Sequence, residues 1–191
     1  MEKKRFNTRK LTGLALLTAI VVVLQLLGSF IRFGTFSISL VLVPIVVGAA
    51  LYGPFAGCWL GFVFGIVVLL SGDAAVFLAI NPFGTVLVVL LKGILAGLGA
   101  GAVYKALSRH ETPAVIAAAV TTPVVNTGIF LLGCLAFFMP TIREWAEGLG
   151  FSNAGTYMIL GLAGGNFLFE LLFNIVLSPV IVRLIRIGRK K

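Results

Sequence analysis

Apolar runs long enough to cross a lipid bilayer recur along this chain with almost no charge inside them, and few architectures accommodate that pattern. Six runs can be drawn, over residues 11–31, 36–52, 55–70, 83–104, 114–139 and 157–187. About 20 apolar residues suffice for a helix to cross the hydrocarbon core. The expected fold is therefore an all-α integral membrane protein, one bundle of six transmembrane helices in a single domain. The punctuation between runs is chemical. Gly53-Pro54 ends the short second run, Ser71-Gly72-Asp73 ends the third, and Asn81-Pro82 precedes the fourth, because proline lacks a donor and glycine takes turn dihedrals cheaply. The fifth run carries Pro123, and the sixth is too long to stand vertical, so it is expected to tilt.

Composition agrees. Hydrophobic residues make up 60% of the 191, and charged residues only 11%. A soluble domain carries roughly a quarter charged residues to cover its surface, so here lipid must do the covering. The net charge of +9 does not point to nucleic acid, because the basic residues sit at the ends and in one short loop. Twelve of the 15 fall within 1–10, 105–109 and 183–191, which a six-span plan puts on one side. Arg32 and Arg143 fall on the other, beside Asp73, Glu144 and Glu147. By the positive-inside rule both termini are expected to be cytoplasmic. The basic start leads into a run of full spanning length, read as a helix and not as a cleaved signal. The outer loop 140–155 holds Trp145 and is expected to form an interfacial helix or a flap over a site.

Two small-residue ladders, Gly57-Gly61-Gly65 and Gly93-Gly97-Gly101, are read as helix-packing surfaces. In lipid, helices join through close backbone approach. The polar residues inside the runs call for a different explanation. An ionisable group at membrane depth costs several kcal/mol unless it is paired, hydrated or turned inward. Lys92 lies about 14 Å into the fourth run and Glu170 about 20 Å into the sixth, at helical rise. Asn166 and Asn174 flank Glu170 at i−4 and i+4, so the three share one stripe. Asn126 follows the Pro123 kink, and Gln25 shares a stripe with Ser29 on the first helix. Two arrangements satisfy these residues: a buried Lys92–Glu170 pair completed by amides, or a polar pocket for a small solute with the same groups as its donors and acceptors.

Covalent chemistry is not expected. The chain has no HExxH, GxSxG, Walker A or catalytic acidic dyad, and its Gly-rich stretch 97–101 lies in an apolar run. His110 is the single histidine, and Cys58 and Cys134 lie in apolar stretches as packing residues, so neither a metal nor another cofactor is expected. A transporter without a nucleotide site needs an ion gradient or a partner with an ATPase.

Three features resemble the substrate-specific S components of energy-coupling factor (ECF) transporters, over residues 11–186. The first helix reads Leu14-Ala15-Leu16-Leu17-Thr18-Ala19, similar to the AxxxA pattern of that family. The segment Ser39-Leu40-Val41-Leu42-Val43-Pro44-Ile45-Val46-Val47-Gly48-Ala49, with Tyr52-Gly53-Pro54-Phe55-Ala56-Gly57, is similar to the family's "L-x-x-I/V-P, G-A, G-P-x-x-G" run. The third feature is the six-span plan. The resemblance implies a high-affinity vitamin-binding subunit in the plasma membrane of a bacterium or archaeon. It implies docking through Ala15 and Ala19 on a transmembrane coupling subunit that works with two ABC ATPases. Substrates in the family include riboflavin, thiamine, biotin, folate and pantothenate. The site expected from the residues themselves is Lys92, Asn126, Asn166, Glu170, Asn174 and Gln25, with Phe33, Phe36, Phe77 and Phe83 as aromatics able to stack on a ring. The alternative is a free-standing carrier driven by protons or sodium, with Glu170 titrating.

Overall fold

The computed structural model describes residues 8–30, 32–33, 36–37 and 40–190. The basic residues within 1–7 and Lys191 lie outside the described residues. Helix α1 (Thr8–Phe30) leads into a two-residue antiparallel pair, β1 (Arg32–Phe33) with β2 (Phe36–Ser37). Then come α2 (Leu42–Tyr52), α3 (Pro54–Leu70), a short α4 (Ala75–Ile80), α5 (Pro82–Ala106) and α6 (Glu111–Phe137). The chain closes with α7 (Met139–Gly148), α8 (Ala154–Thr156), a π-helical stretch Tyr157–Gly164 and α9 (Gly165–Lys190).

By length and composition, four helical stretches are able to cross a membrane: Thr8–Ser29, Pro82–Ala106, Glu111–Phe137 and Ala154–Gly188. The other two apolar helices are shorter. At 1.5 Å per residue α2 spans about 16 Å and α3 about 26 Å, less than the roughly 30 Å hydrocarbon core. The second apolar run thus starts its helix at Leu42 and not at 36, because the β pair takes up the preceding residues. Helix α2 is buried almost all round, as an apolar helix without a polar face must be inside a bundle.

Helix boundaries follow the sequence punctuation. Gly53, at φ +95°, turns the chain between α2 and α3, and Pro54 opens α3 where its missing N–H is no loss. Asn81 caps α5, its side chain accepting from Gly84 N at 2.9 Å, with Pro82 next. The loop 140–155 is largely the amphipathic α7, which buries Ile142 and Ala146 and keeps Arg143, Glu144 and Glu147 outside.

Helices α3 and α5 form the spine. They run antiparallel with the two glycine ladders face to face. A Cβ on Gly57 would strike the Gly97 carbonyl, and one on Gly61 would strike that of Gly93. Toward the end of α3 a Cβ on Gly65 would meet Val89 O at 3.0 Å, and at the start of α3 Pro54 packs on Gly101. At the opposite end of the bundle from α7, Arg186 Nε donates to Glu111 Oε2 at 2.8 Å and Arg9 Nη2 to Gly188 O at 3.3 Å. Those contacts tie the start of α1, the start of α6 and the end of α9 into one basic face.

Candidate functional site

The half of the bundle nearer α7 holds a cavity of about 80 Å³ between α1, the α3–α4 turn, α4, α5, α6, the π-helical stretch and α9. At roughly 10–15 Å³ per water, that is room for several waters or a small solute. Gln25 of α1, Lys92 of α5, Asn126 of α6, and Asn166 and Glu170 of α9 all line it. Five of the six residues singled out from the sequence therefore meet in one place.

Glu170 is 1% exposed. Asn166 Nδ2 donates to its Oε1 at 3.1 Å, so the i−4 neighbour steadies the carboxylate at the cavity wall. Asn174 is placed differently. Its Nδ2 donates to the Glu170 backbone oxygen at 2.8 Å, and it lies off the cavity. The three residues share a stripe, and its last member lies one turn beyond the cavity and bonds to the helix backbone. Lys92 Nζ lies 5.6 Å from the centroid of Phe64 and 5.7 Å from that of Phe130, in reach of the negative π faces of both rings. Glu170 and Asp73 line the same cavity as this side chain. The sequence offered an ion pair or a pocket, and Lys92 and Glu170 both stand on the cavity wall.

Asp73, not singled out from the sequence, lines the cavity as well. It reads as an ordinary loop carboxylate after Ser71-Gly72. Its Oδ2 accepts from Gln25 Nε2 at 2.7 Å, Ser29 Oγ at 2.6 Å and Ser71 Oγ at 3.1 Å. Thr85, whose Oγ1 donates to Asn81 O at 2.8 Å, and Thr127, Phe130 and Phe138 line the cavity too, and the sequence reading did not single them out. Of the aromatics expected to stack, Phe77 lines the cavity, with its ring 5.7 Å from Phe130, 5.0 Å from Phe138 and 5.9 Å from Trp145 in edge-on contacts. Phe83 is 74% exposed and takes no part, and the side chains of Phe33 and Phe36 lie outside the described residues. Trp145 brings α7 over the aromatic wall. Among the described residues no group of three or more His, Cys, Asp or Glu is arranged to hold a metal ion.

Ala15 and Ala19 are exposed on α1, whereas Val21, Gln25 and Gly28 face the bundle. One side of α1 is thus free for another helix while the other serves the cavity.

The family model described as "ECF transporter, substrate-specific component" matches residues 9–182. The chain belongs to that family. This S component is accordingly a membrane subunit that binds a vitamin-like substrate for an ECF importer, associating with the subunits of the ECF module, and by family is a transport subunit. The membership decides against the free-standing carrier. In fold the S component is similar to ThiT from Listeria monocytogenes, at 20% identity and a TM-score of 0.67, covering 92% of this chain and 96% of that one. No curated protein sequence matches it.

Proposed function

We propose that this S component takes its solute from outside the cell into the cavity lined by Lys92, Glu170, Asn126, Asn166 and Gln25. The observation carrying the reading is that five polar side chains from four apolar helices converge on one cavity. Each of them at membrane depth is costly unless it is used. Lys92 supplies a donor with a positive charge, Glu170 an acceptor with a negative one, and the amides match both. Phe77, Phe130 and Phe138 form an apolar wall against which a flat ring can lie. The solute is therefore small, polar along its edges and planar in part. Asn174 acts indirectly, holding the backbone that presents Glu170.

In the same reading six helices cross the plasma membrane of a bacterium or archaeon as one domain, with both termini cytoplasmic. The basic face formed by the starts of α1 and α6 and the end of α9 supports that orientation. Docking on the transmembrane coupling subunit, which delivers ATP hydrolysis from two ABC ATPases, uses the exposed face around Ala15 and Ala19. Small residues there allow another helix to come close.

Native mass spectrometry of the detergent-purified protein should detect a co-purified vitamin. Calorimetry with riboflavin, thiamine, biotin, folate and pantothenate should find one that binds tightly. Asn126→Ala and Lys92→Met should each weaken that binding by about tenfold or more. Undiminished affinity in both variants would move the site elsewhere.

A further inference from the structure

The contact between Gln25 and Asp73 fixes more than a hydrogen bond. Ionised carboxylates accept and cannot donate. With Gln25 Nε2 2.7 Å from Asp73 Oδ2, the amide must present its NH2 to the carboxylate and turn its oxygen elsewhere. Side-chain amide orientation usually has to be inferred from its surroundings; here the partner's chemistry dictates it. Ser29 Oγ and Ser71 Oγ converge on the same carboxylate oxygen and anchor it. Gln25 Oε1 is then left buried with no hydrogen-bond partner among the described residues, on a side chain that is 1% exposed and lines the cavity. Buried acceptors are seldom left so, and each such case calls for an explanation. Asn126 differs. It too lines the cavity and its Oδ1 is unpartnered, but its side chain makes no hydrogen bond among the described residues, so either end of the amide can turn to a ligand. Asn126 adapts, whereas Gln25 selects.

We propose that Gln25 is a specificity-determining residue and Asp73 its positioning residue, the pair holding an amide oxygen ready to accept an N–H or O–H from the solute. The site takes solutes whose edge donates there, such as an amino, lactam or ureido group, and discriminates against those offering only acceptors. The inference rests on the reading of this cavity as the substrate site.

A protein–ligand cycle tests it. Riboflavin, thiamine, biotin, folate and pantothenate are titrated by calorimetry into the full-length detergent-purified protein. The vitamin that binds is compared with analogues in which each donor N–H or O–H is methylated in turn. For one of these positions methylation should weaken wild-type binding about tenfold but Gln25→Met binding by less than about threefold, because the interaction is already gone. Asp73→Asn, which removes no volume and frees the amide to turn, should shrink the same penalty while Gln25 stays in place, and it reads the proposal even if Gln25→Met folds poorly. A methylation penalty equal in wild type, Gln25→Met and Asp73→Asn at every position overturns the inference. The cavity reading is tested separately by Lys92→Met and Asn126→Ala. If those weaken binding while the penalty stays equal across the Gln25 and Asp73 variants, the inference alone has failed.

Discussion

Replacing Lys92 by methionine removes an ammonium but keeps a chain of similar length. In the folded protein that ammonium lies over the rings of Phe64 and Phe130 and lines the same cavity as Glu170 and Asp73. Each cation–π contact is worth about 0.5–2 kcal/mol, depending on desolvation. The larger effect falls on Glu170, which is 1% exposed and loses a positive neighbour. Breaking a buried charge pair from one side costs about 3–5 kcal/mol. Asn166 still donates to the carboxylate at 3.1 Å, so the lower end of that range applies. Changing Glu170 to glutamine as well removes the stranded charge and keeps an acceptor for Asn166, so the Lys92→Met, Glu170→Gln double variant should regain most of the lost stability. Binding should not return with it. One hydrogen bond to a charged group contributes about 1.5–3 kcal/mol, or about 10- to 150-fold in affinity. Melting curves of detergent-purified protein read the first effect, and calorimetry with the vitamin that binds wild type reads the second. A double variant that is stable and binds with undiminished affinity would refute the reasoning, leaving Lys92 and Glu170 as a tie between helices.

Cysteines placed at 145 and 190 should label from opposite sides of the membrane; labelling from one side would remove the six-span arrangement. Changing Ala15 and Ala19 together to leucine should abolish most uptake in cells that carry the coupling subunit and leave solute binding unchanged, and a parallel fall in both would make that stripe internal packing. Gly61→Ala should destabilise by about 1–3 kcal/mol, as overpacking does, because its Cβ meets the Gly93 carbonyl. Gly165→Ala, whose Cβ meets nothing within 4 Å, is the matched control, and equal melting curves for the two would refute the backbone contact.

The elements most legible in the sequence are those set by local chemistry. The start of α5 follows from Asn81-Pro82, and the break at Gly53-Pro54 from a positive φ and a missing donor. The two glycine ladders were legible as packing surfaces, although only the structure pairs them with each other. The polar site was legible in direction but not in depth. A four-residue period shows that Asn166, Glu170 and Asn174 share a stripe, but it does not say where along the stripe the cavity ends, and Asn174 falls beyond it. Asp73 was illegible for another reason. Its role depends on Gln25, 48 residues away, and a loop carboxylate carries no local mark of a partner on another helix. The β pair before α2 and the π-helical turn widths before α9 were also hidden, since neither alters the apolar pattern that reveals a span.

The π-helical stretch Tyr157–Gly164 joins the part of the chain that carries α7 to the part that carries Glu170. A π segment holds more residues per turn than an α-helix, and it is equivalent to an insertion accommodated without breaking the rod. In an α-helix each residue advances the azimuth by about 100°. Winding 157–164 as α-helix while keeping every residue would therefore swing Tyr157 and the α7–α8 segment before it by about that angle, while α9 stayed seated against α2 and α6. Trp145 would leave Phe77, and the aromatic wall would open toward lipid. The winding of this stretch thus acts as a gear setting between α7 and Glu170: a relative with one residue fewer there, wound as α-helix, keeps the same cover over the cavity, whereas one of equal length wound as α-helix would need a differently built one.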